Sequence, residues 1–343
     1  MNNNTIIKSR APVRISFAGG GTDISPYCDE NGGVVINATI NKYVYATLSW
    51  RDDDMVGLHS YDFNEQIISK IEDLKYDGNL DLIKAVVKHF NISGIDIYLR
   101  SEVPVRSGLG GSATAFIAVI GLYNHLLKEN GLTDYEIAEL AFKLEREELK
   151  NSGGRQDQYA SVFGGINLME FYTNDFVKIT PMKISEYTLL EMERNIIIAN
   201  IGERQSSGDI IEDQTNNYKT GVKKTISALD KNKELAHDIK RALLKGDLNY
   251  FGVLVDKAWE EKKNFSKYIT NDRIDKLFKT AKENGALGGK ITGAGGGGHV
   301  IFYCKPKSEH SVARALEQHG AKILPFSFDF GGLKTWETEN ENN

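Results

Sequence analysis

Pro104-Val105-Arg106-Ser107-Gly108-Leu109-Gly110-Gly111-Ser112-Ala113 runs from a β-rich region into a long apolar segment that ends near Gly131. In that segment Phe116, Ile117, Val119, Ile120, Leu122, Tyr123, Leu126 and Leu127 leave almost no polar face, which predicts a largely buried helix with Ser112 as its N-cap. A glycine-rich turn entering a helix presents bare backbone amides and the positive end of the helix dipole, so the stretch reads as an anion site with phosphate as its natural ligand. The glycines permit close main-chain approach, and the Ser112 hydroxyl suits Mg²⁺ or a phosphate oxygen. Turns of this kind also serve packing alone.

Upstream, Arg14-Ile15-Ser16-Phe17 alternates polar and apolar residues before Gly19-Gly20-Gly21, as a strand entering a tight turn does. Further strand signals lie at Val34–Ile36, Tyr43–Leu48 and Ile95–Leu99. Downstream, Thr133 and Glu136 have capping-box spacing ahead of the stripe Ile137, Leu140, Ala141 and Leu144. The apolar stretch Asn195–Ala199 opens a second domain. Helices are expected there over 209–232, 232–245, 249–264, 272–284 and 308–319, with strands at 299–303 and 322–328. This alternation predicts an α+β chain of two domains, 1–190 and 191–336, followed by a polar tail, 337–343.

The 343 residues, 41% hydrophobic and 26% charged, exclude a disordered chain. With 42 Lys+Arg against 47 Asp+Glu the net charge is −5, so no global field attracts nucleic acid or anionic membrane, and an anionic ligand must be met locally. Cys28 and Cys304 form no CxxC pair, and the seven histidines show no metal-protease spacing. No apolar run is long enough to span a bilayer, and the polar start Met1-Asn2-Asn3-Asn4 lacks the pattern of a secretion signal. A reducing cytoplasm is the expected compartment. Asp52-Asp53-Asp54 reads as a solvated turn.

Glycine is the outlier, with 33 against 6 prolines, and it is clustered. Gly108-x-Gly110-x-x-Ala113 also satisfies a dinucleotide fingerprint, but the interval that should hold a second strand and its acidic end is helix instead. Gly285 to Lys290 fails the Walker A spacing. Gly293-Ala294-Gly295-Gly296-Gly297-Gly298 precedes a strongly apolar strand, which favours a loop packed against a ligand or another glycine loop over a linker. Gly19-Gly20-Gly21-Thr22-Asp23 ends in hydroxyl and carboxylate groups suited to sugar hydroxyls.

Together these loops resemble the three motifs of the GHMP kinases, a superfamily of small-molecule kinases. Arg10 through Asp23 is similar to motif one, Pro104 through Ala113 to motif two and Lys290 through Gly298 to motif three. Motif two departs at Gly111, where the superfamily usually has Ser, and His299 stands where a large apolar residue is usual. The Gly-Gly-Gly-Thr-Asp form of motif one and Gly154-Arg155-Gln156-Asp157-Gln158-Tyr159 are most similar to the D-glycero-D-manno-heptose 7-phosphate kinase branch.

The resemblance implies a ribosomal-S5-like N-terminal domain, a ferredoxin-like C-terminal domain, and ATP and a sugar phosphate in the cleft between them. It implies phosphoryl transfer to an anomeric hydroxyl, giving a 1,7-bisphosphate for nucleotide-sugar precursor synthesis. Gly108, Leu109, Gly110, Gly111, Ser112 and Ala113 would cradle the triphosphate, with Mg²⁺ held between ATP phosphates by Ser112 and a helix carboxylate. The resemblance points to Glu145 for that carboxylate, whereas helical phasing places Glu148 nearer the centre of the stripe. Asp157 matches the acidic residue facing the acceptor hydroxyl, and Arg14 the motif-one cation. Gly20, Gly21, Thr22, Asp23, Gly295 and Gly296 would face the acceptor. Its remote phosphate would meet basic groups from more than one segment, with Arg204, Arg155 and Arg106 as candidates. A kinase for another sugar, a regulator that kept the fold and lost catalysis, and a dehydrogenase are the competing readings.

Overall fold

The computed structural model describes residues 5–202 and 207–339. Two long antiparallel strands, β1 (Thr5–Ala18) and β2 (Gly33–Trp50), form the spine of the larger sheet. The first half of β2 is buried throughout, so both its faces are covered, while the alternation in its second half marks a one-sided strand. Strand β2 forks accordingly. Its start pairs with β6 (Ile166–Phe171) and its end with β5 (Ile95–Ser101). Beyond β5 come β3 (Val56–Ser60), which runs parallel to β5, and β4 (Glu65–Ser69), while β7 (Val177–Pro181) flanks β6.

The predicted buried helix is Gly111–Leu127, packed across β1 and β2 with Phe116, Ile117, Val119, Ile120 and Leu122 in the core. Its N-cap is Gly110 rather than Ser112. Gly110 holds the left-handed conformation (φ 82°), which the bare backbone tolerates, and this releases the Ser112 side chain for other contacts. The capping box at Thr133 and Glu136 opens the helix Asp134–Lys143 as expected.

The second sheet is fully antiparallel, in the order β11 (Lys322–Ile323), β8 (Ile196–Asn200), β10 (His299–Cys304), β9 (Ala286–Ile291). Helices Leu248–Lys262, Asp272–Glu283 and Glu309–Gln318 pack on it around Trp259, Phe278, Phe302 and Leu316. The preceding helices are Ser207–Lys219 and Lys223–Lys245, so the break expected at 232 falls at Gly221. Asn232 lies mid-helix instead. Its buried amide exchanges hydrogen bonds with Gly19 N and Gly20 O of the first glycine turn.

Two expectations for the C-terminal segment need correction. The strand expected over 322–328 is regular only through Ile323, because the chain then crosses back to bridge Phe328 with Ile40 of β2. The polar stretch expected as a tail from Glu337 lies partly in β12 (Lys334–Glu339), which pairs antiparallel with Thr5–Arg10 of β1. Backbone hydrogen bonding, available to any side chain, places this charged edge strand where apolar content gives no signal. Among the described residues no helix is long and apolar enough to cross a membrane.

Candidate active site

All three glycine loops converge on one cleft of about 740 Å³. The second and third loops meet backbone to backbone. A side chain on Gly108 would come within 2.8 Å of the Thr292 carbonyl, and one on Gly298 within 2.6 Å of the Ser107 carbonyl. His299 fastens the junction, since its backbone N–H donates to Ser107 O (2.9 Å) and its ring Nδ1 lies 2.8 Å from the same oxygen. Burial pushes the imidazole pKa down, so a neutral ring suits this apolar position.

The first loop is anchored by its own side chains. Thr22 is fully buried, donates to the Gly19 and Val34 carbonyls and accepts from Val34 N. Asp23 accepts from Gly21 N, Gln156 N and Gln156 Nε2. Burial first, and then the charge of Asp157, push its carboxyl pKa up, against the backbone amides that favour the ionised form.

Strand β1 delivers Arg14 to the cleft, and Arg14 N donates to Leu109 O (3.0 Å), which ties the first motif to the second. The Arg14 guanidinium is almost wholly buried. It reaches Asp157 Oδ1 with Nη2 (2.6 Å) and Nε (2.7 Å) and Gly108 O with Nη1 (2.8 Å). Asp157 sits in the first turn of the helix Gln156–Phe163.

At the other side of the turn, Ser112 Oγ donates to Glu145 Oε1 (2.7 Å), and Glu145 Oε2 accepts from Gln158 Nε2 (2.7 Å). These are hard oxygen donors. They fit a small dication such as Mg²⁺, which takes few protein ligands and keeps phosphate and water oxygens.

The chain matches the family model described as the GHMP kinases N terminal domain over residues 80–165 and that described as GHMP kinases C terminal over residues 239–322. It is 38% identical over 338 residues to a D-glycero-alpha-D-manno-heptose 7-phosphate kinase of Campylobacter jejuni, covering 96% of this chain and 98% of that protein. The chain belongs to the GHMP kinases. Among solved structures, a D-glycero-D-manno-heptose 1-phosphate kinase from Bacteroides thetaiotaomicron superposes with a TM-score of 0.81 at 32% identity, covering 96% of this chain and 98% of that one. An L-fucokinase/L-fucose-1-P guanylyltransferase of Bacteroides fragilis is 26% identical, over 92% of this chain and 36% of that protein. The α+β class and the two-domain GHMP kinase fold expected from the motifs hold.

Within this GHMP kinase, Arg14, Gly20, Gly21, Asp23, Gly108, Gly110, Gly111, Ser112, Ala113, Glu145 and Asp157 line the cleft. Leu109 contributes backbone only, because its side chain is in the core. Thr22 is spent inside its turn. Gly295 and Gly296 lie against Ile269 and Tyr268, not on the cleft wall. Arg155 also departs from expectation. Its guanidinium turns to Asp175 Oδ1 (2.7 Å) and stacks over Phe142, outside the cleft. Arg204 lies outside the described residues, while Arg106 does line the cleft.

Glu145 and Glu148 both line the cleft, and a π turn, Leu144–Glu148, widens the helix between them and breaks the extrapolated phasing. Glu145 is buried toward Ser112, while Glu148 is exposed and contacts Tyr76 OH. Sequence reasoning missed Gln156, Gln158, Arg146 and Lys290. For Gln158 a signal existed, since a polar residue in an otherwise buried helix needs a partner. Lys290 is also buried, and its Nζ donates to Ser16 O of β1 (2.7 Å).

Proposed function

We propose that this protein transfers the terminal phosphoryl group of ATP to the anomeric hydroxyl of D-glycero-D-manno-heptose 7-phosphate, giving the 1,7-bisphosphate that feeds nucleotide-sugar precursor synthesis. The observation that carries this reading is the Arg14–Asp157 pair, set directly beside the Gly108–Ser112 turn. Support for the acceptor comes from the near-full-length similarity to a kinase named for it. In this reading the N-terminal part, to about residue 190, holds most of the reacting groups, the C-terminal part closes the cleft, and the enzyme works in the cytoplasm, where ATP is available.

ATP supplies the phosphoryl group, and Mg²⁺ would supply positive charge to offset that of its phosphates. The turn from Gly108 to Ala113 offers its amides to those phosphates at the N-terminus of the Gly111–Leu127 helix. The apolar residues of the cleft lining, Phe63, Leu80, Leu99 and Val105 among them, would accept the base. Ser112 and Glu145 are the residues that would hold the metal. Both contacts between Arg14 and Asp157 fall on Oδ1, leaving Oδ2 for the acceptor hydroxyl. As the hydroxyl oxygen bonds to phosphorus and the bond to the ADP oxygen breaks, Asp157 orients and takes the proton, and Arg14 offsets the charge of the moving group.

The test is a panel of sugars and sugar phosphates assayed for ATP turnover. Heptose 7-phosphate is expected to give the highest kcat/KM. A preference for galactose or fucose would move the protein to another sugar, and the absence of turnover with every acceptor would make it a binding protein.

A further inference from the structure

Arg146 lines the cleft together with Arg14 and Arg106, and phosphoryl transfer as proposed gives it no task. It follows Glu145 directly within the π turn, whose wide hydrogen bond runs from Leu149 N to Leu144 O (3.1 Å). Neighbouring side chains on a regular α-helix diverge by about 100°. Here both turn inward, Glu145 to Ser112 and Arg146 to the loop that follows.

Arg146 Nη1 donates to the carbonyls of Asn151 (3.3 Å) and Ser152 (3.0 Å), and Nη2 to that of Gly154 (3.4 Å). The same loop is tied back by Asn151 N donating to the Glu145 carbonyl (3.1 Å). Nη2 also lies 3.4 Å from Glu145 Oε2. Two glycines make the fit possible. A side chain on Gly153 would run into the Arg146 guanidinium, and one on Gly154 into the Asp23 carboxylate, so the chain threads between a cation and an anion. Immediately beyond, Gln156 N donates to Asp23 Oδ2 (3.1 Å) and the helix bearing Asp157 begins.

We infer that Arg146 is a positioning residue: by gathering the carbonyls of Asn151, Ser152 and Gly154 it sets the start of the Asp157 helix, and it couples that placement to Glu145. The inference rests on the kinase reading for its functional meaning. Its physical basis is geometric. Phosphoryl transfer depends on alignment, and displacement of a reacting group by an ångström costs on the order of 10²-fold in rate.

The experiment compares wild-type enzyme with Arg146→Lys and Arg146→Ala, using ATP and heptose 7-phosphate. A lysine keeps the charge but not the planar fork that spans several carbonyls. Arg146→Lys is expected to lower kcat about 10- to 100-fold, as misalignment does, with KM for ATP close to wild type. Backbone amides of 151–156 are expected to exchange hydrogen faster, with those of Gly111–Leu127 unchanged. Guanidinium ion is expected to restore part of the kcat of Arg146→Ala, and methylammonium to restore none. Wild-type kcat together with wild-type exchange in Arg146→Lys would overturn the inference. So would a loss confined to KM for the phosphorylated acceptor, which would make Arg146 a ligand of the substrate. If Arg146→Ala does not fold, the lysine variant decides alone. If wild-type enzyme turns over no sugar phosphate, the kinase reading fails, and the exchange measurement still tests the clasp.

Discussion

Arg14 and Asp157 meet on a single oxygen: two nitrogens of the guanidinium lie 2.6 and 2.7 Å from Asp157 Oδ1, and the third reaches the Gly108 carbonyl. One buried cation thus fixes the distance between the acidic residue and the glycine turn.

Asp157→Asn keeps the shape and an oxygen for Arg14 but removes the negative charge. Steady-state kinetics should show kcat reduced by at least ~10²-fold, the lower end of general-base contributions, with ATP affinity by calorimetry nearly preserved. A folded Asn variant with most of its turnover would make Asp157 structural.

Gly110→Val strikes the same point from the other side. Gly110 has φ 82°, and a side chain there would sit 3.2 Å from Asp157 Cγ. The left-handed conformation costs a branched residue roughly 1–2 kcal/mol, on the order of tenfold in an equilibrium. Weaker ATP binding and lower kcat are therefore expected together, measured by calorimetry and turnover. Unchanged ATP affinity in the folded variant would remove the turn from the nucleotide site.

Glu145→Gln and Glu148→Gln separate the two glutamates. Titration of activity against Mg²⁺ should require much more metal for the first variant, because the carboxylate beside Ser112 is lost, and match wild type for the second. The opposite order would return the role to Glu148.

Lys290 yields a prediction on pH. Burial, followed by the nearby positive charges of Lys262 and Arg14, holds its pKa well below the ordinary lysine value. The folded protein therefore releases this proton at a pH where the unfolded chain still binds it. Stability from this group rises with pH across that window and is lost as pH falls through the folded-state pKa. Denaturant unfolding from pH 7 to 9 should show wild-type protein gaining stability relative to Lys290→Met. Parallel curves would mean that the amine keeps its proton by other means.

What the sequence revealed follows the range of the interactions involved. Consecutive glycines and the Thr133–Glu136 box are local, and both are legible in a single pass. Lys290 acts on Ser16 from 274 positions away, and nothing near Lys290 in sequence announces that contact. Arg155 stands beside the site in sequence, but its side chain leaves the helix start in the direction of Asp175. The π turn hides Glu145 from periodicity, because one wider hydrogen bond rotates every later residue away from the stripe of Ile137, Leu140, Ala141 and Leu144.

The pairing of β12 with β1 sets Thr5 opposite Glu339, so the two ends of the described chain are neighbours. Between β7 and β12 the chain leaves the larger sheet, builds the smaller one and comes home. The smaller sheet is thus tethered to the larger one at both of its ends, like a loop of rope fixed at two points on the same wall. A short linker joining Thr5 to Glu339 would therefore leave the sheet order intact, and new ends could open at an exposed turn. Removal of β12 has the contrary effect, uncovering the hydrogen-bonding edge of Thr5–Arg10 to pairing with another molecule.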